Sequence, residues 1–198
     1  SSVEIETDKN LMDYIVTNVS RNTLIIETKH SKCLQSSRPI VITVVTPYLT
    51  GIELNGSGNI WSDTMVADNF NLELDGSGKI DCEYIEASVL KADVDGSGTI
   101  KANGVFNETD IRIEGSGEIF LTGESNDADY EISGSGRINA KEMSTVSCYV
   151  NISGSGTVFS YVMESLNVRI SGSGTVYYYG DPDVTTHITG SGKVIRKN

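Results

Sequence analysis

The side chains best suited to acid–base work in this chain are six carboxylates: Glu53, Glu73, Asp75, Asp93, Asp95 and Glu114. Each stands one or three positions before a Gly-Ser-Gly triplet. A glycosidase needs two carboxylates across a cleft, one of them kept protonated. A ladder of carboxylates about 4.8 Å apart is a different object. It reads as a solvated face that opposes edge-to-edge aggregation. A weak divalent-cation site is the sharper reading, with Asp75, Asp95 and Glu114 as its candidate ligands. His30 and His187 have no serine or cysteine partner in the pattern, so no nucleophilic triad is indicated. Cys33, Cys82 and Cys148 are far apart, with no CxxC and no Cys/His cluster. Neither zinc nor a disulfide framework follows. Cys82 and Cys148 fall on an inward parity and are expected in the core. No catalytic residue and no cofactor is expected.

The second chemically interesting set is aromatic. Five and seven positions after the first glycine of a triplet stand Phe120, Phe159, Tyr161, Tyr177 and Tyr179, with Ile195 in the last repeat and Trp61 in the first. Phe159 and Tyr161 should lie beside Tyr177 and Tyr179 as an exposed patch. Such patches mark interfaces or ligand sites, and tyrosine suits both sugar stacking and protein contacts. Three readings stand: cover by a loop or an N-terminal cap, contact with a second copy, or a glycan or protein ligand.

Positioning these columns is the task of the repeat. First glycines at 56, 76, 96, 115, 134, 154, 172 and 190 give spacings of 20, 20, 19, 19, 20, 18 and 18. The slips in spacing suggest a loop in each repeat. Two positions before the triplet stand Leu54, Leu74, Val94, Ile113, Ile132, Ile152, Ile170 and Ile188. Four positions after its first glycine stand Ile60, Ile80, Ile100, Ile119, Ile138, Val158, Val176 and Val194. All are aliphatic and they alternate with polar residues, the mark of a strand with one buried face. The two glycines share the inward parity, so the triplet reads as a corner with no room for a side chain. The serine between them points outward or along the axis, and stacked serines could form a hydroxyl ladder. One repeat buries too little to stand alone, and its columns match from repeat to repeat, as in-register stacking of like on like produces.

The expected fold is all-β: a right-handed single-stranded β-helix, or β-solenoid, of about eight coils with Gly-Ser-Gly corners. Eight coils would rise about 38 Å. Calcium-binding nonapeptide repeats are excluded, because an aliphatic residue stands where that code needs aspartate. No six-residue sub-period is present either. Residues 51–198 form the solenoid. Residues 1–50 read as irregular opening coils or a cap, with strands over Val3–Thr7, Tyr14–Val19, Thr23–Thr28 and Ile40–Thr46. Lys193, Arg196 and Lys197 would discourage further stacking at the other end. The net charge of −12 argues against nucleic acid or an anionic membrane as partner. No apolar run is long enough for a transmembrane helix. The chain opens within a strand pattern, and a removed export signal is expected before Ser1.

The stretch Pro47-Tyr48-Leu49-Thr50-Gly51-Ile52-Glu53-Leu54-Asn55-Gly56-Ser57-Gly58 and the Ser/Asp-Gly-Ser-Gly-x-Ile repeats after it resemble the bacterial putative auto-transporter adhesin family, also called the head GIN domain. The resemblance covers nearly the whole chain and departs at the start, where part of the family's leading strands is expected to be missing. It implies a right-handed β-helix, export to the cell envelope or cell surface, and an adhesive role. It carries no catalytic or binding residues. The functional expectation is a non-enzymatic exported module that oligomerises or binds a glycan or surface protein through its solenoid surface. A polysaccharide-processing β-helix enzyme is the alternative, and a cleft lined by acidic and basic side chains would favour it. A ligand-free structural envelope protein is the third reading.

Overall fold

The computed structural model describes residues 1–29 and 37–198, so His30 and Cys33 lie outside the described residues. The chain divides into two compact units, Ser1–Pro47 and Tyr48–Asn198.

In the first unit the four expected strands are present as β1 (Ser2–Glu6), β2 (Ile15–Ser20), β3 (Thr23–Thr28) and β4 (Val41–Val45). They are not coils of a solenoid. β1 pairs antiparallel with β4, and β2 pairs antiparallel with β3. Ser20 faces Thr23, which leaves a two-residue loop, Arg21-Asn22. Both residues have positive φ, 48° and 65°. That is the left-handed pair a tight hairpin needs to match strand twist. Ser37 donates from its amide and its hydroxyl to Asp8 Oδ2, at 2.9 and 2.8 Å.

The second unit is a parallel β-solenoid of about eight turns. β5 (Gly51–Gly56) opens it. Full coils follow as β6 (Asn59–Gly76), β7 (Lys79–Gly96), β8 (Thr99–Gly115), β9 (Glu118–Gly134), β10 (Arg137–Gly154) and β11 (Thr157–Gly172). β12 (Thr175–Tyr179) and β13 (Asp183–Gly190) share the next coil, and β14 (Lys193–Arg196) ends the unit. From β5 to β11 each strand pairs in parallel with the next, β12 and β13 both pair with β11, and β14 pairs with β12, so that the first glycines of all eight triplets face one another in register. No helix among the described residues is long and apolar enough to cross a membrane.

The core follows the two aliphatic columns. Leu74, Ile80, Ile113, Ile119, Ile132, Ile152 and Val176 are buried, and Cys82 and Cys148 join them as expected. The end coils are less covered: Leu54, Ile60 and Val194 are partly buried, and Ile188 is exposed.

The corner explains both glycines by different physics. The first glycine has φ between +107° and +128° in the eight triplets, a conformation that disfavours any Cβ. The second glycine is packing-limited: a Cβ at Gly136 would lie 2.5 Å from Ile113 Cγ2 of the coil before. The ladder at the corner is one of backbone amides. Ser77 N–H donates to Gly56 O at 3.0 Å and Lys79 N–H to Gly58 O at 2.9 Å, a pattern repeated down the stack. The slips in repeat length are not loops at all. They are register shifts inside strands, between Cys82 and Ile85, Asn139 and Glu142, Ala140 and Ser144, and Thr145 and Ser147. Bulges absorb an extra residue while the ladder on either side continues.

Candidate contact surfaces

The column five positions after the first glycine runs Trp61, Asp81, Lys101, Phe120, Asn139, Phe159, Tyr177, Ile195. Beside its late part, Tyr161 faces Tyr179 across adjacent coils. Four of the five expected patch residues therefore come together, while Asn139 separates Phe120 from Phe159. Phe159 and Tyr177 stack with centroids 4.9 Å apart and planes 16° from parallel. In-register strands impose this arrangement, because the strand spacing is close to a ring-stacking distance. Lys197 Nζ sits 4.9 Å from the Tyr177 centroid, and Lys101 Nζ sits 5.6 Å from that of Phe120. Lys197 is thus more than a charge against further stacking, since it makes a cation–π contact. Phe159 and Tyr177 turn a face to each other and Lys197 lies over the Tyr177 ring, so this pair offers its ring edges outward. Tyr161 is 40% exposed, and Phe159, Tyr177 and Tyr179 are half-buried. Trp61 stands apart at 65% exposure.

The acidic ladder forms as drawn from the sequence. Glu53, Glu73 and Asp93 face one another in successive coils, as do Asp75, Asp95 and Glu114. Among the described residues no group of three or more His, Cys, Asp or Glu side chains is arranged to hold a metal ion. Further along the first of these columns, Arg112 pairs with Glu131 at 3.0 Å.

A surface the sequence reading missed lies five and seven positions before the first glycine. The outer column runs Glu108, Asp127, Ser147, Ser165, Asp183, and the inner one Lys91, Asp110, Asp129, Tyr149, Asn167, Thr185. Between them, Ala128 and Cys148 turn their side chains into the core. The result is an open groove of about 550 Å³ whose lining includes Glu108, Asp127, Asp129, Tyr149, Ser165 and Asn167. A second groove of about 370 Å³, lined by Asn167, Arg169, Thr185 and His187, meets the first at Asn167. The Arg169 guanidinium lies 5.9 Å from the Tyr149 ring centroid. Burial raises the Asp129 carboxyl above its usual range, Asp110 and Glu131 raise it further, and Arg112 opposes them. Asp93 is also raised by burial, against the pull of Arg112. Acidic and basic side chains thus share the surface, with Lys91 paired to Asp110 at 3.8 Å at one end and Arg169 beside Tyr149 further along. The sequence signal was available: the inner of these outward columns changes residue type at every coil from Asp129 to Thr185, while the inward columns barely change.

The profile of the family described as putative auto-transporter adhesin, head GIN domain, matches residues 1–119 and again 106–182. No curated protein matches the chain in sequence. Solved structures do. A protein of Parabacteroides distasonis ATCC 8503 described as a putative lipid binding protein aligns with TM-score 0.93 and 28% identity, over 99% of this chain and 84% of its own. A putative adhesin from Parabacteroides merdae ATCC 43184 aligns with TM-score 0.93 and 22% identity, over 99% and 83% of the two chains. A second putative adhesin from Parabacteroides distasonis ATCC 8503 aligns with TM-score 0.82 and 23% identity, over 98% and 83%. The two adhesin likenesses speak to the fold alone. With its solenoid, its corner repeats and a family match over most of its length, this chain belongs to the putative auto-transporter adhesin family, the head GIN domain proteins.

Proposed function

We propose that the protein is an exported, non-enzymatic adhesion module of the cell surface, and that the strip Phe159, Tyr161, Tyr177, Tyr179 is its protein contact face. The adhesin-type family supports an interaction role and a surface location. The observation that carries the contact face is the stacked Phe159–Tyr177 pair at 4.9 Å, flanked on the same face by two more tyrosines. Axial stacking fixes the Phe159 and Tyr177 rings before any partner arrives, so little of their side-chain entropy remains to be lost on binding. Because Phe159 and Tyr177 already face each other and Lys197 lies over Tyr177, protein packing against their edges fits them better than sugar stacking. A second copy of the chain is the first partner to test, through an isologous contact. Sedimentation velocity should show self-association that Tyr177→Ser with Tyr179→Ser reduces, with an unchanged β-sheet circular dichroism spectrum. Equal sedimentation of parent and variant at every concentration would refute this contact face.

A further inference from the structure

The concave surface before the corner has no role in the adhesive reading above, and coil packing does not require its composition. Stacking favours like on like, as the aliphatic columns show. In the inner groove column the succession is Asp110, Asp129, Tyr149, Asn167. From Asp129 onward each coil there presents a different hydrogen-bonding group: a carboxylate, a phenol and an amide. The two columns run parallel to the stacking direction, with rows about 4.8 Å apart. From Glu108 and Asp110 to Asp183 and Thr185 there are five such rows, a straight path of about 19 Å.

We infer that this groove is a binding site for a linear oligosaccharide lying along the stacking direction. The lining supplies what a polyhydroxylated chain needs and little else. Carboxylates of Asp127 and Asp129 accept from hydroxyls, the Asn167 amide both donates and accepts, and Ser147 and Ser165 do either. Tyr149 adds an amphipathic ring midway, steadied by Arg169. A peptide would want apolar subsites, and the floor provides only Ala128 and Cys148, whose side chains face inward. A bound cation would want converging ligands, which the described residues do not assemble. Concavity lets both columns reach one chain at once, as in other small-ligand sites.

The site is independent of the contact face proposed above, and its test keeps the two apart. Cellohexaose, xylohexaose and chitohexaose would each be titrated into the protein by calorimetry. At least one should bind with a Kd of about 1 mM or tighter. Tyr149→Ala and Asn167→Ala should each weaken it by about tenfold or more, while Tyr149→Phe should retain binding, which guards against a folding artefact at this half-buried position. Tyr177→Ser with Tyr179→Ser should leave the affinity unchanged. Absence of binding by all three sugars would overturn the inference. So would binding that ignores Tyr149→Ala and Asn167→Ala, or that disappears with the tyrosine pair at 177 and 179. Release of shorter sugars during titration would leave the groove standing and overturn the non-enzymatic reading instead.

Discussion

Replacing Gly136 by alanine, with Gly58→Ala as its matched control, tests why the corner is built from glycine. Both residues are the second glycine of a triplet, and neither has the positive φ of the first glycine, so backbone strain drops out of the comparison. They differ in what lies beneath. A Cβ at Gly136 meets Ile113 Cγ2 at 2.5 Å and Gly117 O at 2.9 Å, whereas at Gly58 the nearest atom is Leu54 Cδ1 at 3.5 Å. Ile113 is fully buried. Its Cγ2 is bonded directly to Cβ, so relief demands a χ1 rotation in a β-branched residue or a backbone shift. Overpacking of this kind costs about 1–3 kcal/mol. The smaller conformational entropy of the unfolded alanine chain offsets about 0.4–1 kcal/mol. Gly136→Ala should therefore destabilise by roughly 0.5–2.5 kcal/mol, and Gly58→Ala should be neutral or slightly stabilising. In a domain of this size that is a loss of roughly 1–10 °C in Tm for the first variant. Urea unfolding followed by circular dichroism would read the same difference as a lower midpoint with an unchanged slope. If both alanines shift stability equally, or Gly136→Ala matches the parent, close packing is not what selects the second glycine.

A pH effect follows from Asp129, whose raised carboxyl holds its proton in the fold at pH values where the unfolded chain, near 3.8, has lost it. Stability therefore falls as pH rises from 3.8 through the folded value. Asp129→Asn should match the parent in Tm below pH 3.8 and exceed it slightly at pH 7, a difference kept small by the exposure of the site; an advantage confined to acid would contradict the sign. Burial also pushes the Cys82 and Cys148 thiols upward, away from thiolate. In a Cys33→Ser background the native protein should resist a thiol-labelling reagent at pH 8 and react fully only when unfolded. Rapid native labelling would show that the core opens at these positions.

The fold was legible because stacking makes chemistry repetitive. An aliphatic residue two before the triplet and another four after its first glycine could be read in every repeat, and both columns became the core. The corner was legible for the same reason, although the two glycines serve different ends: one accepts a positive φ and the other clears a side chain below. What escaped was whatever depends on departures from the repeat. The bulges at Cys82–Ile85 and Ala140–Ser144 look in sequence like variable loops, because spacing alone cannot separate an extra strand residue from a longer turn. The Arg21-Asn22 hairpin lacks the glycine that usually announces such a turn. The orientation of the Phe159 and Tyr177 rings depends on rotamers and partners, neither of which a column of letters records.

The same contrast locates function in this fold. Inward positions are fixed several times over, since each aliphatic residue touches its equivalents above and below, and the corner fixes the backbone between them. A change there spreads to neighbouring coils. Outward positions five and seven residues from the corner carry no such obligation once the backbone ladder is made. On the later side they converge on aromatics, and the stacking distance turns those into a rigid strip. On the earlier side they diverge into Asp129, Tyr149 and Asn167, where no stacking rule is served by the variety. A solenoid can therefore keep its ladder while rewriting either surface, and the corner glycines let both be rewritten independently because they hold the two stretches of strand in constant register. Recognition in such a protein should be sought where adjacent coils disagree, as Asp129, Tyr149 and Asn167 do along the groove between Glu108 and His187.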